Sequence, residues 1–321
     1  MERLKWPGAA LGLAGLAFGL RRWQMATTLD GEGLVNVGAA ASVALLALMV
    51  GGAALFLRMA LLHENRIPVE PEGVSCWDLV FGAADDVIYL GMMLAAALCT
   101  GISAPLWMRE GLEGRPLRQW LLWGGEGQRW VDSGLLEYLL AVLALGGAVG
   151  LLLSARMAYR MCGTGRYNGW LILPVLSGSV WLLELYQHHA PQPSRWLYVP
   201  LLLAAVCGVL FYLSCARLSF ESGRPRMVLW LGGMTVLFSA IGLADRPDGM
   251  VLFLLLGQML AALAALWTAP GNLTRPPRET WLGRRAAMLN LRMEQPPRRT
   301  AYDWQKEASG DAEIQEDEEH V

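Results

Sequence analysis

Residues 35–57 read VNVGAAASVALLALMVGGAALFL and contain no charged side chain. An α-helix rises about 1.5 Å per residue, so about 20 residues cross the ~30 Å hydrocarbon core of a bilayer. This run of 23 residues is therefore long enough to span a membrane as one helix. It predicts a chain whose solvent is mostly lipid, which makes the lipid bilayer its first expected partner.

Seven other apolar runs lie along the 321-residue chain, and together they predict an all-α fold. The expected architecture is a polytopic transmembrane helical bundle of about eight spans within residues 1–270. Only 17% of the residues are charged, whereas a soluble protein of this length would carry about 25%. The predicted spans are 6–22, 35–57, 79–103, 134–157, 168–187, 197–216, 227–244 and 249–268.

The first of these spans is the shortest, because Arg21 and Arg22 follow directly after Leu20. A basic start followed by a short apolar run is also typical of a secretory signal peptide. No cleavage site of small residues follows, however, and arginines at a helix end can extend to the membrane surface. We therefore expect an uncleaved first span whose two arginines reach the interface.

The distribution of basic residues predicts the orientation. With eight spans and a cytoplasmic N-terminus, 18 of the 26 Lys and Arg residues fall on the inner side. Because short cytoplasmic loops are enriched in Lys and Arg, we expect both termini in the cytoplasm. The longest segment on the outer side runs from about residue 104 to 133, as a loop or as a short helix on the membrane surface.

The C-terminal tail, residues 271–321, is basic in its first half and acidic after Tyr302. The basic half is expected to associate with anionic lipid headgroups, and the acidic half is expected to be largely disordered. A tail of this kind is also a candidate binding segment for a protein partner.

Asp85 and Asp86 are the most unusual polar residues, because they lie at the start of the strongly apolar run that follows. If the span begins near Leu79, the pair lies inside the membrane and forms a proton or cation site with Tyr89, one turn further on. If the helix begins nearer Ala83, the two carboxylates cap its N-terminus. The sequence is compatible with both interpretations and favours the second.

Glu184 and His188 form the second candidate polar site, at the end of the fifth span. Residues four apart share one face of a helix, so this pair could bind a metal or relay a proton. Two ligands do not complete a metal site, and the simpler interpretation is an ion pair at the outer end of a helix. We expect no metal site from this spacing.

Motifs for catalysis and cofactor binding are absent from the sequence, which contains no HExxH, GxSxG or P-loop pattern. We therefore expect no catalytic residues, no cofactor and no nucleic-acid partner. Glycines spaced four apart occur at Gly8/Gly12, Gly15/Gly19 and Gly146/Gly150. This spacing lets helices approach closely, and we expect it to serve packing inside the bundle.

Several scattered stretches resemble a group of multi-span membrane proteins of Gram-positive bacteria to which no activity is assigned. The resemblance implies a bacterial cytoplasmic-membrane protein and implies nothing about its activity. The stretches that carry it are Lys5-Trp6-Pro7, 19–24, 29–34, 181–193, Tyr212 and Ala244-Asp245.

Two classes of function agree with these observations. The first is a non-enzymatic scaffold, accessory subunit or regulator that acts through a partner bound to the tail. The second is a transporter for a cation or a small neutral solute that uses Asp85 or Asp86, together with Glu184. No lysine or arginine lies near the centre of a predicted span, so a cationic or neutral solute fits better than an anion.

Overall fold

The computed structural model describes residues 2–28, 38–62, 76–83, 86–113, 135–160, 168–189, 198–220 and 224–274. Within these ranges the chain is all-α, which confirms the predicted fold class. A 3-10 turn at Asn168–Leu171 precedes α6. The α-helices are α1 (Glu2–Thr27), α2 (Ala40–Leu61), α3 (Cys76–Phe81), α4 (Val87–Glu113), α5 (Leu135–Arg160), α6 (Ile172–His189), α7 (Val199–Ser219), α8 (Pro225–Ala244) and α9 (Gly249–Thr274).

Six of these helices are long and apolar enough to cross a membrane, namely α2, α4, α5, α7, α8 and α9. The protein is thus a multi-pass membrane protein, whereas the expected count of eight spans is not established. Helix α1 carries Arg21 and Arg22 within its length, and these charges lower its hydropathy. Helix α6 contributes a shorter apolar stretch, Gly169–Leu185.

Helix α8 lies at the centre of the bundle and packs against α1, α2, α7 and α9. In its most apolar window 83% of the residues are buried, compared with 22% in α2, which lies at the periphery. Side chains that α2 leaves uncovered, such as Leu46 and Val50, are apolar. These apolar outer surfaces are suited to contact with lipid tails.

Helices α4 and α9 both extend beyond the ends predicted from the sequence. Pro105 lies inside α4, which continues to Glu113, so α4 includes residues 104–113 of the segment expected as a loop or a short surface helix. A proline costs a helix one hydrogen bond, but here Trp107 follows it and is completely buried. Similarly, α9 passes through Pro270 and ends at Thr274, inside the segment predicted as tail.

The glycines spaced four apart lie in two different environments. A Cβ atom on Gly150 would lie 2.6 Å from the carbonyl oxygen of Trp170, so this glycine permits a close approach of α5 to the 3-10 turn. A Cβ atom on Gly8, Gly12, Gly15 or Gly19 would meet no atom of the described chain within 4 Å. The prediction of internal packing is therefore right for α5 and wrong for α1, whose glycines face outward from a helix at the edge of the bundle.

Replacement of glycine by alanine is expected to have opposite effects on stability in these two environments. Gly150→Ala is expected to lower the free energy of unfolding by about 1–3 kcal/mol, because the added methyl group meets backbone that must move. Gly12→Ala should instead be neutral or raise it by up to about 1 kcal/mol, because alanine is the better helix former. Unfolding of both variants in detergent measures the difference, and equal effects would contradict the assigned packing.

Candidate functional site

A cavity of about 300 Å³ lies at the end of the bundle that carries the Asp245–Asp248 turn between α8 and α9. We call this end of the bundle the hairpin end. The apolar residues of the cavity wall include Leu185, Leu201 and Met250. The polar and aromatic residues of the wall are Trp107, Glu184, Tyr198, Asp245, Arg246 and Asp248.

Glu184 is the most deeply buried carboxylate of this wall, with only 8% of its surface exposed. It lies near the end of α6, where the wall also includes its neighbour Leu185. Burying a carboxylate is costly, so such a residue in a membrane protein usually faces a cavity or the bundle interior. His188 belongs to the same helix one turn further on, and its side chain lies outside the described part of the chain.

Arg21 and Asp245 form a bidentate ion pair, and Asp245 belongs to the cavity wall. The Nε and Nη2 atoms of Arg21 donate to the two carboxylate oxygens of Asp245 at 2.6 and 3.0 Å. The Nη1 atom donates to Oε1 of Gln24 at 2.8 Å, and Nε2 of Gln24 donates to the Ser42 hydroxyl at 2.9 Å. The network therefore joins α1, α2 and the end of α8.

The expectation that both arginines reach the membrane surface is wrong for Arg21, which is 1% exposed. Arg22 is exposed, and it also donates a long hydrogen bond of 3.4 Å to the carbonyl oxygen of Ala244. The physical reason for the difference is the carboxylate of Asp245, which offers Arg21 two charge-assisted hydrogen bonds inside the bundle.

Burial raises the pKa of Asp245, while the hydrogen bond and the charge of Arg21 act in the opposite direction. Removal of the carboxylate from water therefore outweighs the attraction of its partner. This balance is common for buried ion pairs, whose desolvation cost can exceed their Coulombic gain. The pair is thus a poor source of net stability, although neither charge can be buried alone.

The turn that forms the rim of the cavity contains a strained residue. Arg246 has a φ of 54°, the left-handed conformation that residues other than glycine seldom adopt. Its N–H donates to the carbonyl oxygen of Leu243 at 3.3 Å, and the N–H of Asp245 donates to that of Gly242 at 3.2 Å. Strain of this kind persists where the surrounding structure holds it, often at binding sites.

Trp107 contributes a polar group that the described part of the chain does not satisfy. Its side chain is completely buried on the cavity wall, and its Nε1–H has no hydrogen-bond acceptor among the described residues. A buried donor without a partner costs about 1–3 kcal/mol.

Asp86 lies at the opposite end of the bundle, where the chain breaks between α3 and α4; we call this the break end. Its Oδ1 accepts the N–H of Tyr89 at 3.2 Å, which is the geometry of an N-terminal cap. Its Oδ2 accepts the indole N–H of Trp267 at 3.0 Å. The carboxylate thus has the capping contact of the second interpretation, while Asp85 lies outside the described residues.

The break end is closed by α9 and α5. Nδ2 of Asn272 donates to the carbonyl oxygens of Val80 and Gly82 at 3.0 and 2.9 Å, which satisfies backbone left open where α3 ends. The N–H of Ala83 donates to the carbonyl oxygen of Ala158 at 3.1 Å. Backbone that is not helical is tolerated at membrane depth only when it is satisfied in this way.

The predicted polar residues therefore do not form one site. Tyr89 is buried near the start of α4, whereas Trp107 lies 18 residues further along the same helix, about 27 Å away. Asp86 and Tyr89 belong to the break end, and Glu184 belongs to the hairpin end. Of these three, only Glu184 lines the 300 Å³ cavity.

Sequence reasoning missed Trp107 and the Arg21–Asp245 pair as parts of the site. A signal for the pair was present, because the predicted topology puts both charges at helix ends on the same side of the membrane. No comparable signal existed for Trp107. Among the described residues, no group of three or more His, Cys, Asp and Glu side chains could hold a metal ion.

Comparison of this chain with protein-family models, with curated proteins and with solved structures finds no match. The resemblance to a group from Gram-positive bacteria therefore stays a prediction. The assignment of a function depends on the geometry of the cavity alone.

Proposed function

We propose that this multi-pass membrane protein binds a small cationic or neutral solute in the cavity at its hairpin end, as a carrier or a solute sensor. The observation that carries the proposal is the buried carboxylate of Glu184 on the wall of a cavity of about 300 Å³. Ligand sites are typically concave and largely apolar, with a few polar groups that fix orientation. This cavity has that composition.

The position of the cavity also supports a solute rather than a structural role. Arg246 and Asp248 are exposed on its rim, so the cavity reaches the surface of the bundle. The Arg21–Asp245 pair holds the ends of α1 and α8 together behind it. A rigid wall of this kind limits the entropy lost when a ligand binds.

We propose Glu184, and not Asp86, as the acidic residue of the solute site. Both oxygens of Asp86 already accept hydrogen bonds, from Tyr89 and Trp267. A cation that bound there would have to displace a helix cap. Glu184 lines the cavity of about 300 Å³.

We further propose the bacterial cytoplasmic membrane as the location, with both termini in the cytoplasm. The asymmetry of Lys and Arg supports this orientation. In it, α1 begins inside and ends outside, so the hairpin end and its cavity face the outer side. A solute would then enter the site from outside the cell.

The test is ligand-dependent thermal unfolding of the purified protein in detergent, with millimolar panels of cationic, neutral and anionic solutes. A ligand that binds only the folded state stabilises it by an amount that grows with its concentration. We expect at least one cationic or neutral solute to raise the melting temperature of the wild type by several degrees, and the Glu184→Gln variant to lose the response.

Glu137→Gln is the matched control, because Glu137 lies in the first turn of α5 and does not line the cavity. This variant should respond as the wild type does. If no solute changes the melting temperature, or if Glu184→Gln responds like Glu137→Gln, the proposed function is wrong.

The alternative, a scaffold or regulator that acts through a partner and anionic headgroups, stays a prediction. It depends on the tail, and residues 275–321 lie outside the described part of the chain. A truncation made to test it should begin after Thr274 and not after Pro270, because Asn272 belongs to the bundle.

A further inference from the structure

We infer that Gln258 is the internal gate of a solute path that runs between α7 and α9, from the cavity at the hairpin end towards the break end. The inference rests on the proposed function and deepens it, because a gated path makes this protein a carrier and not a solute sensor. Two cavities lie along the same two helices, and the side chain of Gln258 lies between them.

A second, smaller cavity of about 20 Å³ lies nearer the break end, since Tyr89 of that end is part of its wall. Helix α7 contributes Cys215 to this wall, and α9 contributes Ala265. The cavity at the hairpin end is lined by Leu201 of α7 and by Val251 of α9. The same two helices therefore border both cavities.

Each of these helices carries a row of three residues, spaced seven apart, that joins the two cavities. Residues seven apart lie on the same face of an α-helix, about 10 Å apart along its axis. The first member of each row lines the cavity at the hairpin end, and the last member lines the smaller cavity. The rows are Leu201, Gly208 and Cys215 on α7 and Val251, Gln258 and Ala265 on α9.

The middle members of the two rows, Gly208 and Gln258, are in contact. A Cβ atom on Gly208 would collide with Oε1 of Gln258, so this glycine leaves space for the amide. Nε2 of Gln258 donates to the carbonyl oxygen of Ala204 on α7 at 3.2 Å and to the hydroxyl group of Ser239 on α8 at 2.9 Å. The side chain thus crosses from α9 to α7 at the level that separates the cavities.

The hydrogen bonds of Gln258 are suited to a barrier that opens and closes. Hydrogen bonds between neutral groups of neighbouring transmembrane helices contribute little to stability, so they can be exchanged at modest cost. Ser239 is completely buried in α8, the central helix of the bundle, and gives the amide a fixed partner. An ion pair at this level would be much harder to separate.

Helix α9 also carries the contacts that close the break end. Trp267 donates to Asp86, and Asn272 donates to the backbone where α3 ends. One helix therefore lines the cavity at the hairpin end, provides the gate and closes the opposite end. A carrier needs barriers on either side of its site that open in turn, and here the barriers lie on one element that can move as a unit.

The reaction of Cys215 with silver ions tests the gate, because Cys215 lines the smaller cavity beyond Gln258. The assay uses the full chain in detergent, with the other four cysteines replaced by serine. It measures how fast Ag⁺ in chloride-free buffer protects the thiol from a fluorescent maleimide added after denaturation. The reaction should be slow in this parent protein. Gln258→Ala removes the amide and should accelerate it at least tenfold.

Three further variants make the test specific. Met259→Ala is the matched control, because Met259 is the next residue of α9 and lines neither cavity, so this variant should react like the parent. Leu201→Trp fills the cavity at the hairpin end, and in combination with Gln258→Ala it should restore most of the protection. Gly208→Ala displaces the amide by collision and should accelerate the reaction severalfold, which keeps the test decisive if Gln258→Ala does not fold.

Equal rates for Cys215 in the parent and in Gln258→Ala would overturn the gate. So would equal acceleration by Met259→Ala, or a reaction that Leu201→Trp does not slow. The assay contains no solute, so its outcome is separate from that of the melting-temperature test. If a solute binds through Glu184 and the gate variants have no effect, the gate is wrong and the proposed function remains. If Gln258→Ala exposes Cys215 but no solute binds, the proposed function is wrong, and the assignment as a carrier fails with it.

Discussion

Replacement of Asp245 by alanine is expected to lower the free energy of unfolding by about 3–5 kcal/mol, the largest effect that this structure predicts. The substitution would leave Arg21 buried, with 1% exposure and without the carboxylate that accepts two of its hydrogen bonds. Arginine cannot lose its proton at neutral pH, so its charge would remain buried without this carboxylate. Chemical unfolding in detergent measures the loss.

Two variants control this experiment. Asp248→Ala removes an exposed carboxylate from the same turn and should change stability by less than about 0.5 kcal/mol. The double replacement Arg21→Met with Asp245→Leu should recover most of the loss, because apolar residues can replace a buried ion pair at little cost. If the single variants Asp245→Ala and Asp248→Ala are equally stable, Arg21 and Asp245 do not form a buried pair.

Asn272→Asp should produce the second largest effect, a loss of about 2–3 kcal/mol at the break end. The wild-type amide donates to the carbonyl oxygens of Val80 and Gly82. A carboxylate in its place has no proton to donate and repels both oxygens. Asn272→Ala removes the two hydrogen bonds without the repulsion, so its loss should be smaller.

The same unfolding measurement ranks these two variants. Asn272→Asp should be the less stable of the two, and this difference should shrink as the pH falls and the new carboxyl group takes up a proton. Variants that are both as stable as the wild type would show that α9 does not hold the break between α3 and α4.

Much of the fold follows from the sequence, because lipid leaves an uncharged run such as residues 35–57 few alternatives to a helix. The helix ends were less predictable. Pro105 and Pro270 usually mark an end, and here burial of Trp107 and the contacts of Asn272 continue the helices past them. Tertiary contacts of this kind leave no pattern in the neighbouring amino-acid sequence.

The candidate site was predictable only in part. Glu184 was identified because an acid near the end of an apolar run is costly and therefore informative. Its position beside the same cavity as Trp107 depends on how α4 and α6 are each placed against α5, which no spacing in the sequence determines. Asp86, the more unusual residue in the sequence, has an N-terminal capping contact that local reasoning had already favoured.

The pair of Arg21 and Asp245 also has a consequence for how the protein is made. Its two members are separated by 224 positions in the chain. At about 5–20 residues per second, a ribosome needs roughly 10–45 s to add that length. During this time Arg21 has been synthesised and Asp245 has not. The first helix can therefore complete its packing only after α8 has been synthesised. The N-terminal helix thus reaches its final place late in biogenesis.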